Sequence, residues 1–444
     1  MMETIFWRLL CENRPKAGLK VNLTWHLPSV DNNLCLLKMG EDTPIVTHYR
    51  KTEEYEMITK FGSLFAGHVD FDDMGFDATP VNDRRLSDAT LAGVFDKAEA
   101  IILKMEELGY DTFWSAEHHF QHEGYECIPN LLMMYVHMAH LTKNLKFGCG
   151  FNVNPMWHPL RLAEDYATAD ILTGGRVIFG VGRGYHSREV DTFGVPSTLT
   201  DNDANREIFE EQVEIMMKAF NEESFSHEGK HYKLPPEVPY RGYTLKELTL
   251  VPRPRNLPVE TWQPMVSASQ RAMDFMAKHG IKGIIGGGAA AGGAQDQVVR
   301  QWRETLAKSG RETELGADLT IGFSMHIAET EEKAIEEARP FFEENMKMFA
   351  PLGFVRGLSD DQISNLGQGS KARSAGLPTL EDGVKAGSWL CGPPELVAEK
   401  IDDLQNRYPG LEQINVGSVI GTPQSVVLDQ IERFGKEVMP KFKK

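Results

Sequence analysis

Residues 145–184 read LKFGCGFNVNPMWHPLRLAEDYATADILTGGRVIFGVGRG. A short apolar run at Leu145–Phe151 gives way to an amphipathic stretch of helical period at Pro159–Leu172. A second apolar run follows at Arg176–Val181. Strand, helix and strand in this order predict two parallel strands, because parallel neighbours need a crossover of about a dozen residues or more.

The same alternation extends in both directions. Upstream, strands are expected at Leu19–His26 and Asp111–Ala116, with helices at Ala89–Leu108 and Asn130–Leu141. Downstream, strands are expected at Thr261–Val266, Ile281–Gly286, Asp318–Ile327 and Gln413–Ser418. The matching helices are Asn205–Phe220, Ala268–Lys278, Gln295–Lys308, Glu331–Met348 and Ser425–Val438. Eight strand–helix units predict an α/β fold, a single (β/α)₈ TIM barrel spanning residues 1–444 as one domain. Three stretches exceed a minimal barrel, placing insertions after strand 1, after helix 4 and before strand 8. Pro28–Asp88 is too long for a plain loop, and Glu222–Pro258 is rich in proline. Ala350–Gly392 reads as a mobile excursion, with an extra helix after it at Glu395–Gln405. The first two are expected at the catalytic mouth; the third begins at the opposite rim and climbs.

Composition narrows the function. With 47 basic and 64 acidic residues the 444-residue chain carries a net charge of −17, which argues against nucleic acid or an anionic membrane as main partner. No apolar run approaches the ~18 residues of a membrane span. The first residues lack the pattern of a secretory signal. Five scattered cysteines without a CxxC argue against a disulfide framework or structural zinc. A reduced cytoplasmic protein is expected.

Three clusters could carry chemistry. The first is Glu117-His118-His119-Phe120, just past the second strand, where a barrel gathers its catalytic groups. A neutral imidazole there can exchange protons near neutral pH, although a His pair packed against the loop has the same sequence. A metal reading of Glu117, His118, His119, His122 and Glu123 is set aside: adjacent histidines at a strand end point apart, and there is no HExxH. The second is Gly180-Val181-Gly182-Arg183-Gly184-Tyr185, which lacks the spacing of a dinucleotide fingerprint. Its glycines allow close backbone approach to a ligand, and Arg183 offers a fork for phosphate or carboxylate, or for a surface ion pair. Arg206 is a second cation. The third is Ser267-Ala268-Ser269-Gln270 at a helix start, readable as an anion turn or as ordinary capping. The run Gly286–Gly293 lacks the Lys-Ser/Thr ending of a P-loop.

In order, EHHF, HPLRLAE, GGR, GVGRGY and EVDTFG resemble the bacterial luciferase-like flavin monooxygenase family, and residues 392–444 resemble the end of its alpha subunit. The resemblance implies a barrel holding reduced FMN, with Glu117, His118 and His119 near the flavin ring and His118 linked to catalysis. Gly150 and Phe151 fall in register with a strained pair, which predicts a cis peptide between them. Gly182, Arg183, Tyr185 and Arg206 are implied in flavin binding, and Ser267, Ser269 and Gln270 in the phosphate turn. Two positions depart from the alpha subunit: Gly182 replaces a cysteine and Val266 a glutamate. The first argues against light emission. The resemblance implies a monooxygenase that uses reduced FMN and O₂ through a C4a-peroxyflavin, fed by a separate NAD(P)H-flavin reductase, and a homodimer. Trp114, Phe120, Phe151, Trp157 and Tyr185 are expected as walls of a dry pocket. The alternatives are a deazaflavin-dependent dehydrogenase on the same barrel and a non-catalytic flavin-binding partner subunit.

Overall fold

The computed structural model describes residues 58–196, 201–286, 294–355 and 357–443, together with two strands nearer the N-terminus. The chain divides into units 1–55 and 56–444. In the first, Leu34–Lys38 and Pro44–His48 pair antiparallel, Leu34 opposite His48.

The second unit is a closed barrel of eight parallel strands. They are β1 (Lys60–Phe65), β2 (Thr112–Ser115), β3 (Lys146–Cys149), β4 (Val177–Gly182), β5 (Thr261–Pro264), β6 (Lys282–Gly286), β7 (Leu319–Ile327) and β8 (Gln413–Gly417). Each pairs with the next in sequence, and β8 returns to β1. Helices α1 (Val94–Leu108), α2 (Leu131–Leu141), α3 (Pro159–Leu172), α4 (Asn202–Asn221), α5 (Gln270–His279), α6 (Ala294–Lys308) and α7 (Glu331–Phe349) follow the first seven strands. An added strand, Trp389–Gly392, pairs with the end of β7 and leads into α8 (Pro394–Arg407); α9 (Gln424–Arg433) follows β8.

Strands covered on both faces read as continuous apolar runs rather than alternating ones. Every residue of β2 and of β4 is buried. The third and fourth strands approach so closely that a Cβ on Gly180 would lie 1.6 Å from the Cys149 carbonyl oxygen, and between the second and third a Cβ on Gly148 would lie 2.2 Å from the Trp114 ring. Inside the barrel Trp114, Ile178 and Trp262 form a small apolar core against Phe151. Helix starts follow local chemistry: Asn130 caps the Met133 N–H, Ser269 caps that of Ala272, and Pro159 opens α3.

Two expectations change here. The first barrel strand is Lys60–Phe65, inside the expected insertion, and Leu19–His26 lies outside the described residues. The segment KFGSLF is short and exposes Lys60 and Leu64, so its apolar signal is weaker than that of residues 19–26. The insertion after strand 1 remains, shortened to the stretch between Phe65 and α1. Residues 222–260 follow a helix rather than a strand, so they start at the rim opposite the mouth. Arg253 donates to the Phe220 carbonyl at the end of α4, and the Asp170 carboxylate near the end of α3 accepts from the Arg255 and Asn256 N–H groups. The excursion after α7 is built of short helices at Asp360–Asn365, Ser370–Ser374 and Leu380–Lys385.

Candidate active site

Three loops at the mouth, after β2, β3 and β4, bring the site together. Beyond β3 the Gly150–Phe151 peptide is cis, as its register predicts. The Gly150 N–H donates to the Ser115 carbonyl at 2.7 Å, and the Phe151 carbonyl accepts from the Glu117 N–H at 3.3 Å. A Cβ on Gly182 would meet that of Phe151 at 3.0 Å, so a bare backbone is favoured beside the cis peptide.

Glu117 is buried, and both its oxygens are engaged. One accepts from the Val153 N–H at 2.9 Å; the other accepts from the Trp157 indole at 2.8 Å and lies 3.0 Å from His119 Nε2. These bonds tie the loop after β2 to the loop after β3. His118, also buried, sits between two carboxylates. Its Nδ1 is 3.2 Å from Glu189, while its Nε2 is 3.1 Å from the Tyr185 hydroxyl and 3.3 Å from Glu126. Tyr185 donates to Glu126 at 2.8 Å, and the other Glu126 oxygen accepts from His186 Nε2 at 2.9 Å. Glu189 also accepts from the His119 N–H at 2.9 Å and from the Gln121 amide at 3.3 Å.

Burial alone would depress the His118 pKa, but the charges of Glu126 and Glu189 and the bond to Glu189 outweigh it and hold the imidazole above its ordinary value. Glu189 is held below the ordinary carboxylate range: burial opposes this, and the bond to His118 dominates. Burial beside Glu126 drives the Tyr185 phenol well above its ordinary value. The doubly protonated imidazole satisfies both of its neighbours, Nδ1–H donating to Glu189 and Nε2–H to the Tyr185 oxygen. The ligating atoms of His118, Glu126 and His186 all lie within 4.8 Å of one another, a spacing that could also hold a metal ion.

The loop after β4 carries Arg183 as well. One of its terminal nitrogens donates to Asn202, while Nη1 is buried with no hydrogen-bond partner among the described residues. Burial, reinforced by the positive charges of Arg206 and Arg271, pulls Arg183 down to about 10. Arg206 lies 3.6 Å and Arg271 2.7 Å from Glu210, which also acts on Arg183, with Asp203 as a further acid near Arg183 and Arg271. A part-buried guanidinium with one unpartnered nitrogen, set among other cations, is the arrangement an anion completes.

Not every expected residue joins this cluster. Ser267 is exposed, and Ser269 caps α5. The Gln270 amide donates to Asp274 at 2.7 Å and Thr305 at 2.9 Å, binding α5 to α6. Arg271, one residue on, is not marked by the sequence, nor are Glu126 and His186; Glu189 stands there only as the first residue of EVDTFG, with no role attached. An acid seven residues after EHH and another four after Tyr185 are visible in the sequence, but nothing in their spacing links them to His118. Of the expected walls, Trp114 belongs to the barrel core and Trp157 is bound to Glu117. Phe120, with φ of 61°, is exposed and stacks on Phe193, while Tyr185 packs against Phe354.

Comparisons with known proteins agree with this architecture. A family model described as luciferase-like monooxygenase matches residues 76–409. Limonene 1,2-monooxygenase of Rhodococcus erythropolis is 24% identical over 77% of this chain and 80% of its own. An uncharacterized protein of Sinorhizobium fredii is 36% identical over 30% of this chain, and the match spans only 35% of that protein. The oxygenase component of the flavin-dependent trigonelline monooxygenase of Acinetobacter baylyi is 31% identical over 25% of this chain and 31% of its own. Among solved structures, the oxygenating constituent of 3,6-diketocamphane monooxygenase of Pseudomonas putida, in complex with FMN, superposes with a TM-score of 0.63 at 20% identity, covering 86% of this chain and 98% of that one. The coenzyme-F420-dependent tetrahydromethanopterin reductase of Methanopyrus kandleri gives 0.58 at 19% identity, covering 87% and 100%. Among the described residues no helix is long and apolar enough to cross a membrane.

Proposed function

Because the chain belongs to the luciferase-like monooxygenase family, we propose that it uses reduced FMN and O₂ to oxygenate a small organic substrate. One observation carries this reading: the loop after β4 delivers Arg183 to the arginine cluster and, two residues later, Tyr185 to His118. One segment thus serves an anion and an acid–base group at once.

Arg183, with its unpartnered Nη1, and Arg206 would hold the FMN phosphate, with Arg271 as a third cation. Reduced FMN supplies two electrons to O₂, so that one oxygen atom enters the substrate and the other leaves as water. His118 holds a proton at Nε2, kept there by Glu126 and Glu189, and can deliver it to a reacting oxygen. Tyr185 and Glu126 form the path by which that proton is replaced. Phe151 and Tyr185 limit the access of water.

The chain carries no nicotinamide fingerprint, and the trigonelline relative is named as an oxygenase component, so a separate NAD(P)H-flavin reductase is the proposed source of reduced FMN. The reductase that uses coenzyme F420, a deazaflavin, shares the barrel, which keeps deazaflavin-dependent hydride transfer as the second reading.

The deciding experiment supplies photoreduced FMN and O₂ to wild type and His118→Ala, measuring oxygenated product against hydrogen peroxide. Wild type is expected to form product, and the variant about 10²–10⁴-fold less, with FMN affinity retained. Equal yields would make His118 structural. No product with FMN, but tight binding of reduced coenzyme F420, would replace the monooxygenase by the dehydrogenase.

A further inference from the structure

A cavity of about 470 Å³ adjoins the site at His186, within the size range of small-molecule pockets. Val81, Met348, Leu352, Ile363 and Leu366 supply apolar lining, most of it from the end of α7 and the excursion that follows. Phe354 of the same excursion meets the Tyr185 ring edge-on, with centroids 4.5 Å apart, so this wall continues directly into the His118 network.

The charged residues at the cavity are already committed. Lys347 gives its three protons to the Gly75 and Thr79 carbonyls and to Glu344, at 2.9, 2.9 and 2.8 Å. Arg188 is forked onto Glu123 at 2.8 and 3.0 Å and also donates to Gln121 at 2.9 Å. A charged ligand would have to break these pairs. His186 differs. Its Nε2 lies 2.9 Å from a Glu126 oxygen, which only accepts, so this bond selects the Nε2–H tautomer, in which Nδ1 is an acceptor. That Nδ1 has no hydrogen-bond partner among the described residues.

We propose that this cavity binds the organic substrate, an uncharged and largely apolar molecule whose hydroxyl or N–H donates to His186 Nδ1. The assignment of the ligand as substrate rests on the monooxygenase reading; the binding chemistry does not. The His186 ring centroid lies 5.1 Å from that of His118, so a ligand held here is one ring away from the acid–base group.

Equilibrium fluorescence titration of the full chain with 1-naphthol, 1-methoxynaphthalene and 1-naphthoate tests the chemistry without any turnover. Naphthol is expected to bind about tenfold more tightly than its methyl ether, the scale of one hydrogen bond, and naphthoate more weakly still. His186→Phe should abolish the preference for naphthol over the ether. Ile363→Trp and Val81→Trp, from separate parts of the lining, should each weaken naphthol at least tenfold, while unchanged FMN affinity and melting temperature report intact folding. The inference fails if naphthol does not bind, if the three probes bind alike, if His186→Phe keeps the preference, or if both tryptophan variants bind as wild type does. Binding as described without any oxygenation from reduced FMN and O₂ would overturn the monooxygenase reading and leave the cavity assignment standing.

Discussion

Tyr185 donates its phenolic proton to the buried carboxylate of Glu126 across 2.8 Å. The pair turns Glu126 into the hub of the site, because the same carboxylate meets His186 and lies beside His118 Nε2.

Glu126→Gln keeps the shape of the hub and removes its charge. His118 then loses one of the charges that raise its pKa, and the pH at which product formation falls by half should drop. A pH profile of product yield checks this; Glu126→Asp, which restores the charge, should move it back. An unshifted profile would confine Glu126 to packing.

Arg183→Ala should weaken FMN by roughly 1.5–3 kcal/mol, about 10- to 150-fold, because a charge-assisted bond in a partly buried site is lost. Gln270→Ala should leave FMN affinity nearly unchanged, since its amide is spent on Asp274 and Thr305. Fluorescence titration of both variants measures the contrast, and a larger loss in Gln270→Ala would reverse the assignment.

The buried His118–Glu189 pair also makes stability depend on pH. His118 has a folded pKa above its ordinary 6.5, so its contribution is complete below about that pH and is lost as pH rises through the folded pKa. Glu189 has a lowered folded pKa, so its contribution is present above about 4.5 and is lost as pH falls through the folded value. The melting-temperature advantage of wild type over His118→Gln should therefore be largest between these limits and shrink toward alkaline pH. A gap of constant size from pH 5 to 9 would contradict this.

Glu344 anchors the far side of the same loop. Its fully buried carboxylate takes Tyr125 at 2.5 Å, Arg84 at 3.1 Å, Lys347 at 2.8 Å and the Gly75 N–H at 2.9 Å. Glu344→Ala leaves the buried Lys347 without its acid and Arg84 with only the more exposed Asp73, and chemical denaturation should register a loss of about 3–5 kcal/mol. A loss under 1 kcal/mol would mean that the cluster relaxes onto Asp73 and Glu343.

Period and punctuation in the sequence determined most of the barrel. From β2 onward each expected strand lies within about two residues of the observed one, because apolar runs covered on both faces leave a signal that needs no knowledge of neighbours. The glycines at 180 and 182 were legible because close backbone approach restricts residue choice at single positions, and Gly150–Phe151 was legible only through its register with the resembled family. The first strand was not legible, since KFGSLF is short and part-exposed and becomes a strand through the partners it finds in β8 and β2. The site divides in the same way. His118 and Arg183 stand in recognisable local motifs, whereas Glu126, His186, Glu189 and Arg271 acquire their roles only when the loops after β2 and β4 and the helices α4 and α5 converge. A hydrogen bond between residues 60 or 70 positions apart leaves no period in the chain. Gln270 and Arg271 make the point most directly: adjacent in sequence, one joins α5 to α6 and the other meets Glu210 beside Arg183, a choice set by which face of the helix each occupies in the folded protein.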